Sequence, residues 1–176
     1  MSKARVATMW LDGCSGCHMS FLDMDDRLLE LAGKMDIVYS PIVDMKEFPE
    51  NVDITLVEGA VGNEEDLHKL RIARERSRLL VSLGDCAVTA NVPSMRNFFG
   101  PQKVLDRAYV ENATLRPGPP KKDLPVLFPG SRPLHELVTI DVFVPGCPPS
   151  ADVIYFVLNE LLEGRCPNLS DKSRFG

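Results

Sequence analysis

Four of the five cysteines occupy positions from which their thiols could share one site. Cys14 and Cys17 form a C-x2-C pair, while Cys86 and Cys147 stand alone and far apart in the sequence. A glycine one or two residues before each of them lets the backbone approach closely. Thiolates that converge on one point repel each other, so a cation has to compensate their charge. These residues therefore predict a metal centre.

The spacing of the four cysteines also discriminates between metals. Structural zinc sites usually use two close pairs of ligands, whereas only one close pair is present here. Four thiolates are the usual ligand set of an iron–sulfur cluster, and the Cys147-Pro148 step matches the proline that follows a ligand in ferredoxin motifs. We therefore predict one 4Fe–4S cluster, in preference to a zinc-binding scaffold.

A thiol–disulfide active site is the main alternative for Cys14 and Cys17. A C-x2-C pair between a strand and a helix is typical of thioredoxin-like enzymes, in which the helix N-terminus lowers the thiol pKa. Such an enzyme would need neither Cys86 nor Cys147, which weighs against this alternative.

Strand-like and helix-like segments alternate along the chain and would bring the cysteines together. The predicted strands are 6–11, 36–40, 54–57, 79–83 and 141–144, and the predicted helices are 20–34, 63–78 and 150–163. This alternation predicts an α/β fold with a parallel sheet and helices on both faces. Right-handed crossovers place every strand-to-helix turn at one edge of such a sheet, where ligands bind. The four cysteines all fall at that edge.

Other features of the chain complete the predicted architecture. Ser20, with Asp23 three residues on, is predicted to cap the first helix, and Asn63 the second. Residues 93–136 hold eight of the 14 prolines, so we predict an irregular segment there, within a single domain spanning 1–176.

The fifth cysteine, Cys166, follows the last predicted helix. At about 1.5 Å per residue, that helix would carry the chain roughly 21 Å away from the ligand edge. We therefore exclude Cys166 from the predicted metal site.

Three side chains near the predicted cluster could take part in its chemistry. Glu58, at the end of the third strand, could carry protons or contact the cluster, and the alternative is a solvated or helix-capping carboxylate. His18 could donate to a cluster sulfur or act as a ligand, and the alternative is a surface histidine facing a partner. Trp10 is expected to pack in a buried strand.

Composition excludes several classes of function. The net charge of −5 over 176 residues, with no basic stripe, argues against nucleic-acid binding. No apolar run approaches the 18 or so residues that span a membrane, and residues 1–5 show no export signal, so we expect a cytoplasmic protein. The first turn carries cysteines where an FMN phosphate would need hydroxyl groups, and no G-x-G-x-x-G is present, so FMN or nucleotide binding is not favoured.

Four motifs, in this order, resemble one known family. They are L-D-G-C-S-G-C-H-M-S-F (11–21), V-E-G-A-V (57–61), G-D-C-A (84–87) and V-P-G-C-P-P (144–149). Together they resemble the small subunit of nickel–iron hydrogenases, most closely that of the soluble NAD-reducing (bidirectional) group. The resemblance implies a flavodoxin-like fold and a proximal 4Fe–4S cluster held by the same four cysteines. A related subunit of respiratory complex I has adjacent cysteines where this chain has its C-x2-C pair.

The resemblance also implies partners. The nickel–iron centre needs two C-x2-C pairs, so it is expected on a separate hydrogenase large subunit. This chain would then take electrons from the large subunit and pass them to diaphorase subunits, which contain flavin and iron–sulfur clusters and reduce NAD⁺. A sulfhydrogenase or another cytosolic hydrogenase is the alternative within the family. Some members are proposed to bind a second FMN at this subunit, which the turn composition here does not favour.

Overall fold

Seven strands form two sheets in the computed structural model, which describes residues 3–175. In chain order they are β1 (Ala4–Trp10), β2 (Met35–Tyr39), β3 (Val52–Glu58), β4 (Val61–Asn63), β5 (Ser77–Leu83), β6 (Leu127–Arg132) and β7 (Val142–Val144). Five of them form a parallel sheet in the order β2-β1-β3-β5-β7, and β4 pairs with β6 in a separate antiparallel sheet. Counted within the parallel sheet alone, the order is 2-1-3-4-5, that of flavodoxin-like folds. The predicted fold class is confirmed.

Helices cover both faces of the parallel sheet. They are α1 (Gly16–Leu22), α2 (Arg27–Ala32), α3 (Glu64–Arg76), α4 (Asp85–Thr89) and α6 (Ala151–Leu162), whereas α5 (Pro101–Asp106) packs against β6 of the antiparallel sheet. One core packs α1, α2 and α6 on one face, and the other packs α3 and α4 on the opposite face. Successive strand residues alternate between the two cores, as Val6 and Ala7 do, because side chains of a strand point to opposite faces in turn. Among residues 3–175, no helix is long and apolar enough to cross a membrane.

The first helix differs from the prediction for 20–34. Two short helices, α1 and α2, replace it, and α1 already begins at Gly16 after an N-cap at Ser15. Ser20 is therefore inside α1 rather than at its start. Its buried hydroxyl donates to the carbonyl of Pro149, which ties α1 to the turn that carries Cys147. The predicted Ser20 cap is wrong because α1 begins four residues earlier, at Gly16.

The predicted starts of the other two helices are confirmed. The Asn63 side chain caps α3 by accepting a hydrogen bond from the Asp66 N–H at 2.9 Å. The Ser150 hydroxyl caps α6 by accepting from the Val153 N–H at 3.4 Å.

The 93–136 segment contains more structure than its prolines predict. It holds a 3₁₀ turn over Pro93–Phe98, then α5, which continues directly into a π-helical turn over Arg107–Glu111. Strand β6 follows and pairs with β4, so that Arg132 lies opposite Val61. The segment thus leaves the carboxyl edge of the parallel sheet after α4 and returns to it through β6, which pairs with β4 in the small antiparallel sheet.

Candidate metal centre

The four predicted ligands come from three turns at the carboxyl edge of the parallel sheet. Cys14 lies between β1 and α1, and Cys17 lies in the first turn of α1. Cys86 lies in α4, directly after β5, and Cys147 lies in the turn between β7 and α6. Cys14 and Cys147 are exposed, whereas Cys17 and Cys86 are partly buried. The structure therefore brings all four to the edge that the sequence predicts.

Hydrogen bonds hold the Cys86 and Cys147 turns together. The Asp85 N–H donates to the Gly146 carbonyl at 2.9 Å, and the Gly146 N–H donates to Asp85 Oδ1 at 2.6 Å. The Gly84 N–H donates to the carbonyl of Val144 at 2.8 Å. Asp85 thus links two turns that carry candidate ligands.

Glycine at position 84 is required by the packing of the C-x2-C turn. A Cβ atom on Gly84 would lie 2.2 Å from the sulfur of Cys17, and the backbone there has a φ of 84°. No other residue type combines this conformation with the absence of a side chain. The close approach packs the Cys17 turn against the Cys86 turn.

The four thiols lie within electrostatic reach of one another. Burial raises the pKa of the Cys17 thiol far above its ordinary value, and the charge of Glu58 and the other three cysteines add to the rise. Burial also raises the pKa of Cys86; the backbone N–H of Val92 acts in the opposite direction, while the charges of Cys14, Cys147 and Glu58 add to the rise. Thiolates at this edge therefore need a compensating cation, which a metal centre provides.

The arrangement of the donors differs from what a single metal ion requires. Within residues 3–175, no three His, Cys, Asp or Glu side chains converge closely enough to hold one metal ion. A 4Fe–4S cluster is larger than one ion and is bound by four cysteine thiolates, a requirement that four thiols from three turns fit.

Glu58 and His18 form a buried pair beside the C-x2-C turn. Glu58 is 2% exposed and His18 is 7% exposed. The Glu58 Oε2 accepts a hydrogen bond from the backbone N–H of His18 at 2.8 Å. A solvated Glu58 and a surface His18 are therefore wrong, whereas the helix-capping role of Glu58 is confirmed, because this N–H belongs to the first turn of α1.

The imidazole of His18 extends this buried polar contact. Its Nε2 lies 2.9 Å from Thr8 Oγ1, and Thr8 donates to Ser40 Oγ at 2.8 Å. Its Nδ1 lies 3.0 Å from Glu58 Oε2 but without the alignment of a hydrogen bond. Four polar side chains thus run between the end of β3 and the end of β2.

Trp10 lies at the surface rather than in the core. Trp10 is 46% exposed and its indole donates to the Gly13 carbonyl at 3.2 Å, so the prediction of buried packing is wrong. β1 ends at Trp10, where its side chain points away from both cores.

Cys166 is exposed and lines a depression beside Leu79 and Val142, away from the carboxyl ends of the strands. Its predicted separation from the other cysteines is confirmed.

Arg96 and Ser131 also belong to the surroundings of this edge, and the sequence pattern did not reveal either. Arg96 donates to the hydroxyl of Ser131 at 3.1 Å, and that hydroxyl donates to Asp12 at 3.0 Å. Both residues lie in the proline-rich segment, where no periodic pattern marks them. Arg96 is the single arginine at 90–100, close to the start of the predicted irregular segment, and this was the one signal that could have pointed to the contact.

Comparison with known proteins identifies relatives of the whole chain. Residues 14–161 match the family described as NADH ubiquinone oxidoreductase, 20 Kd subunit. The chain is 45% identical to the NAD-reducing hydrogenase HoxS subunit delta of Cupriavidus necator, over 93% of this chain and 80% of that protein. It is 37% identical to a subunit of the F420-non-reducing hydrogenase vhu of Methanocaldococcus jannaschii, but spans only 59% of that longer protein.

A solved structure shares the complete fold. The crystal structure of an NAD⁺-reducing [NiFe]-hydrogenase in the H₂-reduced state contains a chain that is 41% identical, with a TM-score of 0.94. The alignment covers 99% of this chain and 100% of that one. The chain therefore belongs to the 20 kDa subunit family of NADH ubiquinone oxidoreductase and, within it, to the small subunits of NAD-reducing nickel–iron hydrogenases.

Proposed function

We propose that this small subunit transfers electrons through one 4Fe–4S cluster bound by Cys14, Cys17, Cys86 and Cys147. The observation that supports the proposal is the placement of four cysteines, on three separate turns, at one sheet edge, within electrostatic reach of one another. The bound cluster would supply a carrier that accepts and releases one electron at a time. The protein contributes the thiolates, the hydrogen bonds around them and a partly dry environment.

The exposure of the four cysteines suits electron transfer between subunits. Cys17 and Cys86 face the protein, where burial excludes water, whereas Cys14 and Cys147 face outwards. A cluster held in this way would be accessible to a partner from one side. This chain has a single C-x2-C pair, so we assign the nickel–iron centre to a large subunit that docks near this edge.

The electron acceptor is the second part of the proposal. The relative from C. necator is named as NAD-reducing, which supports transfer from the large subunit through this chain to a diaphorase with flavin and iron–sulfur clusters. Reduction of NAD⁺ implies a cytoplasmic location, where that acceptor is present. A different acceptor, as in the sulfhydrogenase 2 subunit delta of Pyrococcus furiosus, which is 30% identical, is the alternative within the family. Subunits that co-purify with the chain would separate the two.

The position of Cys86 and Cys147 weighs against a thiol–disulfide enzyme. Such an enzyme would use only the pair of Cys14 and Cys17. Here Cys86 and Cys147 lie at the same edge, and their charges act on the Cys17 thiol.

The proposal is tested by metal analysis of the anaerobically purified complex. We expect about four irons and four sulfides to be lost per complex in Cys86→Ser and in Cys147→Ser, together with hydrogen-driven NAD⁺ reduction. Cys166→Ser is the matched control and should keep both, because Cys166 lies away from the edge. One zinc and no sulfide at this chain, or full activity of Cys86→Ser, would contradict the cluster assignment.

A further inference from the structure

Arg96 holds three parts of the chain together at the carboxyl edge. Its guanidinium donates to the Gly62 carbonyl at 2.7 Å, the Phe128 carbonyl at 2.9 Å and the Ser131 hydroxyl at 3.1 Å. Gly62 lies in β4, and Phe128 and Ser131 lie in β6, while Arg96 itself belongs to the 3₁₀ turn after α4. One side chain thus joins this turn to both strands of the small sheet.

The hydrogen bond from Arg96 to Ser131 continues to the turn that carries Cys14. Ser131 is 3% exposed, and its hydroxyl donates to Asp12 Oδ2 at 3.0 Å. Asn97 fixes the Ser131 backbone, accepting from its N–H at 2.7 Å and donating to its carbonyl at 2.9 Å. Asp12 precedes Cys14 by two residues, so the position of Ser131 constrains the path of the Cys14 turn.

Gly62 provides the space for this arrangement. A Cβ atom on Gly62 would lie 2.1 Å from Asp12 Oδ2 and 3.2 Å from Arg96 Nη2. The carboxylate of Asp12 and the guanidinium of Arg96 therefore both lie against the backbone of Gly62. Opposite charges approach each other here across a residue that has no side chain.

The 3₁₀ turn that contains Arg96 also lies next to Cys86 in the chain. The Ala90 N–H donates to the Cys86 carbonyl at 3.0 Å, and the Ala90 carbonyl accepts from the Ser94 N–H at 2.8 Å, so the 3₁₀ turn of Arg96 is joined directly to Cys86. As a hydrogen-bond donor, the backbone N–H of Val92 in this turn acts to lower the pKa of the Cys86 thiol, against the rise that burial causes. Val92 opens the 3₁₀ turn of Arg96, since its carbonyl accepts from the Met95 N–H at 3.0 Å. The hydrogen bonds of Arg96 therefore set the position of this turn, and with it the position of the Val92 N–H.

We infer that Arg96 is a positioning residue that fixes the Cys14 turn and the Val92 N–H relative to each other, and thereby sets the reduction potential of the cluster. This inference rests on the proposed function. Hydrogen bonds to ligand sulfurs stabilise the more negative, reduced state and so raise the potential. Residues outside the ligand set control such bonds by orienting the donors. Lysine cannot replace Arg96, because an ammonium group lacks the planar fork that reaches three acceptors at once.

The test compares Arg96→Lys with Arg74→Lys in the complete complex. Arg74 is a matched control, because its guanidinium also makes several hydrogen bonds, among them one to Asp141 at 2.6 Å, but at the start of β5 rather than its end. The cluster of this chain is identified as the EPR signal that Cys86→Ser removes. We expect that signal to titrate at a more negative potential in Arg96→Lys and at the wild-type potential in Arg74→Lys. Both variants should melt at a lower temperature.

Three outcomes would overturn the inference, the third of them in a second variant that is used if Arg96→Lys does not accumulate. A wild-type potential and line shape in Arg96→Lys, with only a lower melting temperature, would make Arg96 purely structural. An equal shift in Arg74→Lys would show that any loss of stability moves the potential. If Arg96→Lys does not accumulate, Ser131→Ala decides, because it removes the link to Asp12, and an unchanged signal there overturns the inference. Absence of any signal that Cys86→Ser removes would instead contradict the proposed function.

Discussion

The carboxylate of Glu58 accepts a hydrogen bond from the backbone N–H of His18, and so connects the end of β3 to the first turn of α1. The two residues are 40 positions apart in the chain, and both are buried. The N–H is one of the donors that every helix leaves unpaired at its start. A buried carboxylate from another element thus replaces the side-chain cap that Ser15 does not provide.

Replacement of Glu58 should therefore destabilise α1. In Glu58→Ala the His18 N–H would be buried without an acceptor, which is expected to lower the free energy of unfolding by about 1–2 kcal/mol. Glu58→Gln keeps an acceptor oxygen and should lose less. Denaturant-induced unfolding of the two variants measures the difference, and equal losses would contradict the capping role.

Glycine 84 should tolerate no side chain, in contrast to another glycine with positive φ. In Gly84→Ala the new Cβ would collide with the Cys17 sulfur, so iron and sulfide should be lost from this chain. Gly164 has a φ of 73° and open space around it, so Gly164→Ala should cost only about 1 kcal/mol of backbone strain and keep the metal. Iron analysis distinguishes the two, and retention of iron in Gly84→Ala would show that the turns can separate.

The stability of the chain should depend on the protonation of Asp66. Burial raises the pKa of this carboxyl from 3.8 to about 6, and the nearby charge of Asp12 contributes to the rise. The folded state therefore binds the proton more tightly than the unfolded state, so this contribution to stability is complete below pH 4 and is lost as the pH rises through about 6. Asp66→Asn should remove this decline from the pH profile of unfolding. An identical profile in the variant would exclude Asp66 as its source.

The caps of α3 and α6 should differ in strength. Asn63 accepts from the Asp66 N–H at 2.9 Å, whereas Ser150 accepts from the Val153 N–H at 3.4 Å. Asn63→Ala is expected to lower the free energy of unfolding by about 1 kcal/mol, and Ser150→Ala by less. Thermal unfolding of the two variants under the same conditions checks this order, and the reverse order would contradict it.

The parts of the site that follow local patterns could be predicted from the sequence. Each of the four cysteines follows an apolar run, and parallel pairing places the ends of such runs at one edge. The burial of Glu58 and His18 could not be predicted, because it depends on a contact between distant residues. Strand β6 was missed for a local reason, since Pro129 and Gly130 interrupt the alternation that marks a strand.

The dispersion of the ligands along the chain has a consequence for biosynthesis. The last candidate ligand, Cys147, follows β7, which pairs with the edge of the sheet next to β5. A ribosome must therefore complete most of the polypeptide before the fourth thiol becomes accessible. A cluster bound by all four cysteines, as proposed above, could therefore be completed only after β7 has been synthesised.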